Sequence, residues 1–432
     1  MMDINRLYEI FTECKTVTTD SRDCPEGSLF FALKGDNFNG NKFAETALNN
    51  GCRYAVVDEQ EYAQDERYIL VDDTLATLKL LARHHRRQFH IPVIGITGTN
   101  GKTTTKELVA AVLAKKYNVL YTQGNFNNDI GVPKTLLRLN ADHEIAVVEM
   151  GASHPGDIKT LVETVEPDYG LITNVGMAHL QGFGSFEGVV RTKGELYDFL
   201  RTRNESVAFI DADNGHLTGI SHGLNLKKYG EDTSEGLYVE GHVTVCDPML
   251  RLRWRHADGA WNDVDTHLIG AYNLKNMLAA ASIGLYFGVS EDQISEALGQ
   301  YIPSNNRSQL ETTEHNKLIV DAYNANPTSM EAALRNFEIM KVSPKMAILG
   351  DMRELGEASA KEHQRIADMI AECGFESVWL VGEEFGKTVC PFRKFDNVDE
   401  VKAAIEAEQP RGYYILIKGS NGIKLAQLPA CL

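Results

Sequence analysis

The chain has 432 residues, too many for one ordinary core; at roughly 150 residues per domain, about three domains are expected. Apolar residues make up 43% and charged residues 24%, the balance of a soluble globular protein. Against 60 Asp and Glu stand 43 Lys and Arg, and the net charge of −17 excludes a non-specific nucleic-acid coat or an anionic-membrane binder, though not a small anionic ligand in a local pocket.

The opening Met1 to Lys15 lacks the basic head, apolar run and cleavage site of a signal peptide. No apolar stretch approaches the ~18 residues of a membrane span. The seven cysteines (Cys14, Cys24, Cys52, Cys246, Cys373, Cys390, Cys431) are scattered and never spaced C-x-x-C. That pattern predicts reduced thiols in a cytoplasm rather than a disulfide frame or a zinc site.

The first segment, residues 1–90, mixes short strands (Ser28 to Leu33, Tyr54 to Val57, Tyr68 to Val71) with helices. Leu75, Leu78, Ala82, His85 and Phe89 recur at helical spacing, and Pro92 ends that helix. The middle segment, 91–303, alternates strands and helices. Apolar strands at Val93 to Thr97, Val119 to Thr122, Ile145 to Met150 and Leu171 to Val175 each end in polar, Gly- or Asn-bearing turns. Non-alternating apolar runs of this kind fit strands buried on both faces of a parallel sheet. Ligands then sit beyond the carboxyl ends of the strands. Residues 235 to 268 switch to alternating, Trp- and His-bearing segments, read as a β-rich excursion, and a helix follows from Asn273 to Phe287. The last segment, 304–432, has apolar runs at Leu318 to Val320, Met346 to Leu349, Val378 to Val381 and Tyr414 to Ile417, a second and smaller α/β unit.

Gly98-Thr99-Asn100-Gly101-Lys102-Thr103-Thr104 follows a strand and opens a helix. Glycines let backbone N–H groups curl around a phosphate, Lys102 neutralises its charge and Thr103 can hold Mg²⁺. Ile96 stands where the strict pattern wants glycine, so this is a variant phosphate loop; the plain alternative is a tight strand-to-helix turn. Glu149 ends an apolar strand, where a second Mg²⁺ contact would fall beside such a loop; otherwise it is a polar strand terminus. His179, after Thr173-Asn174-Val175-Gly176, is either structural or a metal or phosphate ligand. Lys193 reads by default as a solvated helix lysine. Gly182 to Gly188 has the wrong spacing for a dinucleotide loop. No guanine reader, G-x-S-x-G elbow or H-E-x-x-H helix occurs. Asn125, Asn127 and Asn128, and Asn324 and Asn326, cluster after strands in two segments. Turn chemistry explains each cluster alone; together they suggest a polar substrate between domains, read by uncharged amides.

On these residues the chain resembles the Mur ligases, the ATP-dependent amino-acid-adding enzymes of peptidoglycan synthesis, through nearly all its length. Thr19-Asp20-Ser21-Arg22 with Gly27-Ser28-Leu29-Phe30 resembles the UDP-binding N-terminal domain of the last two enzymes in that series. Ile96 to Thr104 is the family's loop, which accounts for the missing early glycine. Gly124 to Pro133, Asp321 to Pro327 with Ser329-Met330, and Gly350 to Gly356 point to the member that acts last.

The resemblance implies a three-domain α/β fold: a central P-loop parallel sheet with flanking helices, a smaller α/β N-terminal domain and a Rossmann-like C-terminal domain. It implies ATP and Mg²⁺ as cofactors, and UDP-N-acetylmuramoyl-tripeptide and D-alanyl-D-alanine as the partners joined through an acyl phosphate. Lys193 falls on the lysine that is carbamylated in the family. Thr103, Glu149, His179 and Lys193 would hold magnesium; Lys102, Lys193, His179 and Arg307 would be catalytic. Gly98 to Thr104, Asn273, Asn276, Arg307 and Asp321 would meet ATP, although Tyr272 replaces the histidine usual before the first of those asparagines. Lys418-Gly419-Ser420 also matches, with Asn421 where a basic residue is usual. Ser21, Arg22, Asn125, Asn127 and Asn128 would meet the UDP substrate; Asn326 and Asp351 are candidates for the dipeptide. A cytoplasmic monomer without nucleic-acid or membrane partners is expected. A sister ligase or a glutamate-adding folate ligase shares the loop and layout, but should lack the two asparagine stretches. A non-catalytic nucleotide-binding scaffold would bind ATP without peptide-dependent ADP release.

Overall fold

The computed structural model describes residues 3–35, 37–231, 236–303, 307 and 309–432. The expected boundary at 303–304 therefore falls at the edge of the described residues. The chain forms two compact units.

The first unit comprises Met1–Gly95, Tyr117–Gly151 and Asp157–Tyr169. Asp3 caps the helix Ile4–Cys14, which buries Leu7, Ile10, Phe11 and Cys14 at 3–4-residue spacing. Four short parallel strands, β1 (Val17–Thr18), β2 (Leu29–Phe31), β3 (Tyr54–Val57) and β4 (Tyr68–Leu70), pair in sequence order. Phe30, Ala32, Ala55 and Val57 pack with Ala44, Ala47 and Leu48 of the helix Ala44–Asn49. Asp73 caps the helix Thr74–Arg86, which stops three residues short of the expected Thr74 to Phe89 and well before Pro92, and whose buried face includes Leu78, Leu81, Ala82 and His85. A two-stranded ribbon, Lys34–Gly35 with Phe38–Asn39, is too short to have shown a periodicity.

The same unit holds β6 (Val119–Tyr121) and β7 (Ile145–Glu149), a parallel pair. It also holds the first residues of β5 (Val93–Thr97) and β8 (Tyr169–Ile172). Their order here is β8-β5-β7-β6. Strands β5 and β7 are buried along their whole length, as two-sided burial requires.

The second unit comprises Ile96–Lys116, Ala152–Gly156 and Gly170–Leu432. Its larger sheet adds β9 (Val207–Asp211), β10 (Asn225–Gly230), β11 (Val239–Cys246), β12 (Met249–His256) and β13 (Asn262–Ile269) in the order β13-β12-β11-β10-β9-β8-β5. The β-rich excursion is therefore the antiparallel end of this sheet, not a separate body. Along β12, Leu250, Leu252 and Trp254 are buried, while Arg251, Arg253 and Arg255 alternate with them.

The smaller sheet has the order β14 (Gln309–Thr312), β15 (Lys317–Asp321), β19 (Tyr414–Lys418), β16 (Lys345–Gly350), β17 (Ser377–Val381), β18 (Arg393–Phe395). All pairs are parallel except β14–β15. The helices Pro327–Ile339 and Ser359–Glu372 cover one face, and Val398–Glu408 covers the other. No helix among the described residues is long and apolar enough to cross a membrane.

Candidate active site

The phosphate loop runs from the end of β5 into the helix Lys102–Leu113. Gly98 has φ +140° and Gly101 φ +77°, both unfavourable for a side chain. A Cβ on Gly98 would lie 2.0 Å from Thr173 Oγ1, and one on Gly101 would lie 2.6 Å from Asn276 Oδ1. The loop is pinned from β8's carboxyl end. The Thr99 N–H donates to the Asn174 carbonyl (2.9 Å), and the Asn100 N–H donates to Asn174 Oδ1 (3.0 Å). Thr173 Oγ1 and Asn174 Nδ2 both donate to the Asn100 carbonyl, at 2.6 and 3.0 Å. These bonds explain why β8 stops at Ile172 rather than at the expected Val175. Lys102 Nζ donates to the carbonyls of Gly98 (2.8 Å) and Thr99 (3.0 Å), so the ammonium lies against its own loop. Thr103 is buried at the first turn of the helix.

Under the loop runs the helix Asn273–Tyr286. Thr105 Oγ1 donates to Asn276 Oδ1 (3.0 Å), Asn276 Nδ2 to Asn273 Oδ1 (2.8 Å), and Asn273 Nδ2 to the Ile269 carbonyl (2.8 Å). Both asparagines are buried. Their amides thus hold up the loop from below. Asn276→Ala would strand the Thr105 hydroxyl and Asn273 Oδ1. A loss of about 1–3 kcal/mol in denaturant unfolding is expected. An unchanged midpoint would show that the relay bears no weight.

In the first unit, Glu149 is buried at the end of β7. Its Oε1 accepts from Asn127 Nδ2 at 2.7 Å, and its N–H donates to Thr122 Oγ1 at 3.0 Å. Gly151 leaves room for that amide, since a Cβ there would lie 2.8 Å from Asn127 Oδ1. Asn128 Oδ1 accepts the N–H groups of Ile130 and Gly131 where the helix Gly131–Leu136 begins. Asn125 is exposed, and its carbonyl accepts from the Asn127 N–H (2.7 Å). The Ser21 carbonyl accepts from Asn50 Nδ2 (2.7 Å). Arg22 forks onto Asp20 at 2.9 and 2.7 Å, and that guanidinium holds the Asp20 carboxyl well below its ordinary range. The Arg22 side chain is 88% exposed, so the pair binds weakly and an anionic ligand can compete for it.

In the second unit, Lys193 is not the solvated lysine of the default reading. It is buried on the helix Phe186–Arg201, with Nζ 3.5 Å from the Ala152 carbonyl and 5.5 Å from the Phe183 ring. His179 takes a left-handed backbone (φ +50°) and pairs through Nδ1 with Glu354, which is itself left-handed (φ +65°). The imidazole holds the Glu354 carboxyl below its ordinary range. Among the described residues no three His, Cys, Asp or Glu side chains gather as a ready-made metal cluster.

Arg307 stacks its guanidinium 4.1 Å from the Tyr323 ring centroid, with its buried Nε unbonded. Asp321 accepts from the buried Lys418 Nζ at 2.5 Å. Asn326 Nδ2 reaches Asn100 Oδ1 in the phosphate loop at 2.7 Å. Asp351 is buried, and its two oxygens accept the N–H groups of Glu384 (3.0 Å) and Phe385 (2.9 Å), so it caps the turn after β17. It lines a cavity of about 770 Å³ at the carboxyl ends of β16 to β18, with Arg353, Glu383 and Asp396. Asn174 and Glu354 carried no assignment in the sequence. A strand-end asparagine is the available signal for the first; the second lies within the Gly350 to Gly356 stretch that carries the resemblance.

Three family models match the chain: the Mur ligase family catalytic domain over 13–86, the Mur ligase middle domain over 96–284, and the Mur ligase glutamate ligase domain over 306–421. A UDP-N-acetylmuramoyl-tripeptide–D-alanyl-D-alanine ligase from Bacillus subtilis is 33% identical over 426 residues, 95% of this chain and 92% of that one. A crystal structure of MurF from Acinetobacter baumannii superposes with a TM-score of 0.87 at 29% identity, covering 99% and 97% of the two chains. The MurF ligase of Thermotoga maritima in complex with ADP gives 0.86 at 25% identity, covering 100% and 98%.

Proposed function

Since the chain belongs to the Mur ligase family, we propose that it joins D-alanyl-D-alanine to UDP-N-acetylmuramoyl-tripeptide at the expense of ATP, in peptidoglycan synthesis. The observation that carries this reading is the likeness over 95% of the chain to a relative named for that reaction. The pinned phosphate loop supplies the chemistry to match.

The tripeptide carboxylate attacks the γ-phosphate of ATP and gives an acyl phosphate as ADP departs; the dipeptide amine then attacks the carbonyl, gives up a proton and expels phosphate. Two anions must meet in the first step, so charge must be neutralised beforehand. Lys102, fixed against its loop, does this from the helix N-terminus. Arg307, stacked on Tyr323, offers a buried guanidinium edge for the same task. Asp321 is assigned to the nucleotide with Lys418 setting its position. Asn273 and Asn276 act on ATP through the loop they support.

Thr103, Glu149, His179 and Lys193 are the residues assigned to magnesium. A hydroxyl and a carboxylate suit a hard cation that keeps several waters and takes phosphate oxygens. Carbamylation would give the buried Lys193 the oxygen donors its ammonium lacks. Bound there, magnesium supplies positive charge to the phosphate oxygens. Ser21, Arg22, Asn125, Asn127 and Asn128 are assigned to the UDP substrate; the loosely held Arg22 guanidinium supports this. The three matched ranges support domains at 1–90, 91–303 and 304–432. A cytoplasmic monomer completes the reading.

The test is phosphate release with ATP and UDP-muramoyl-tripeptide. D-alanyl-D-alanine should drive turnover at least ~10²-fold faster than D-alanine or other single amino acids. Equal rates, or none with the dipeptide, would sink the assignment.

A further inference from the structure

The turn that opens the helix Pro327–Ile339 touches two loops of the nucleotide side at once. Asn326 is 4% exposed. Its Oδ1 accepts the Ser329 N–H at 2.9 Å, and Ser329 Oγ accepts the Asn326 N–H at 3.1 Å, a reciprocal cap. Its Nδ2 donates to Asn100 Oδ1 at 2.7 Å. Two residues on, Thr328 Oγ1 accepts the Met177 N–H at 3.3 Å. The neighbouring Gly176 N–H donates in turn to Thr99 Oγ1 at 3.0 Å. Serine or aspartate would cap this helix as well as asparagine does. An amide is needed only because one arm accepts while the other donates.

We propose that Asn326 is a positioning residue that couples occupancy of the phosphate loop to docking of the Pro327–Ile339 helix. When the loop closes on phosphates, the Asn100 side chain is held in one place, and Asn326 ties the helix to it. When the loop is loose, that tether goes, and the helix keeps its cap, the Thr328 contact and its packing on the smaller sheet. The role differs from a contact with the dipeptide, and it rests on the proposed reaction only in taking ATP as the occupant of the loop.

The full-length protein tests it with a non-hydrolysable ATP analogue and magnesium. Asn326→Ser keeps the cap and loses the reach; Asn100→Ala removes the acceptor. In the unsubstituted protein the analogue should slow amide exchange in 327–339 by about tenfold. Either substitution should abolish that slowing; Asn326→Ser should also leave the slowing in 98–113 and its own melting temperature unchanged. The double variant should be no worse than the single ones. Turnover should fall about tenfold, with the dipeptide KM within about twofold. The proposal is overturned if the unsubstituted protein shows no slowing, if Asn326→Ser retains it, or if the two substitutions add. It is also overturned by a rise in dipeptide KM with the slowing intact, which would make Asn326 a substrate contact. If the ligase reading itself fails, dipeptide-dependent turnover will be missing while the exchange coupling stands.

Discussion

Lys102→Ala should lower the rate of ATP-dependent ligation by about three orders of magnitude or more, with the fold intact. The size follows from what the ammonium opposes. The first chemical step brings a carboxylate against a γ-phosphate, and one preorganised cationic or hydrogen-bond donor at developing charge is worth roughly 10²–10³ or more. The fold survives because the bonds of Nζ to the Gly98 and Thr99 carbonyls are contacts within its own loop. Arginine should not substitute, because its planar fork cannot replace a compact point charge inside so tight a ring. Single-turnover ADP formation measures the effect, with circular dichroism as the control for folding. A variant that kept more than about a tenth of the activity would remove Lys102 from the mechanism.

The second large effect concerns Lys193. Lys193→Ala should reduce turnover at least ~10²-fold, and a short carboxylate such as acetate or formate should restore part of it. The structure makes the rescue physically reasonable. The side chain is almost wholly buried beside Ala152 and Phe183, so truncation leaves a recess where a small acid can sit. A solvated lysine would leave no such space. Restoration by carboxylates but not by alkylamines is the expected signature, because the missing group is an anion. Rescue by an amine of the same length, or no rescue across a series of acids, would withdraw the carbamate.

Legibility in the sequence followed burial. Strands β3, β5, β7 and β16 were readable because two-sided burial leaves unbroken apolar runs. Strands β14 and β18 were not, since edge strands such as Gln309–Thr312 and Arg393–Phe395 carry polar residues and few neighbours. The glycine loop was legible because its φ values demand glycine at fixed positions. The partners of the site residues were another matter. That Lys418 holds Asp321, that Glu354 faces His179 and that Asn174 pins Asn100 are tertiary facts. No spacing rule joins residues so far apart in the chain. Lys193 shows the same limit from the other side: on periodicity it reads as surface, and the fold buries it.

The antiparallel end of the larger sheet bears on how the protein behaves in concentrated solution. Strand β13, eight residues long, is the outermost strand of the larger sheet among the described residues, the position at which a second molecule could add a strand. Its neighbour β12 sets Arg251 against Asp265 and Arg253 against Asp263, at 3.2 and 3.0 Å across the ladder. A row of exposed, paired charges along this outermost pair of strands makes dry stacking of copies unfavourable. That protection is electrostatic. Strong salt or acid, which weakens such pairs, is where self-association of this protein should begin.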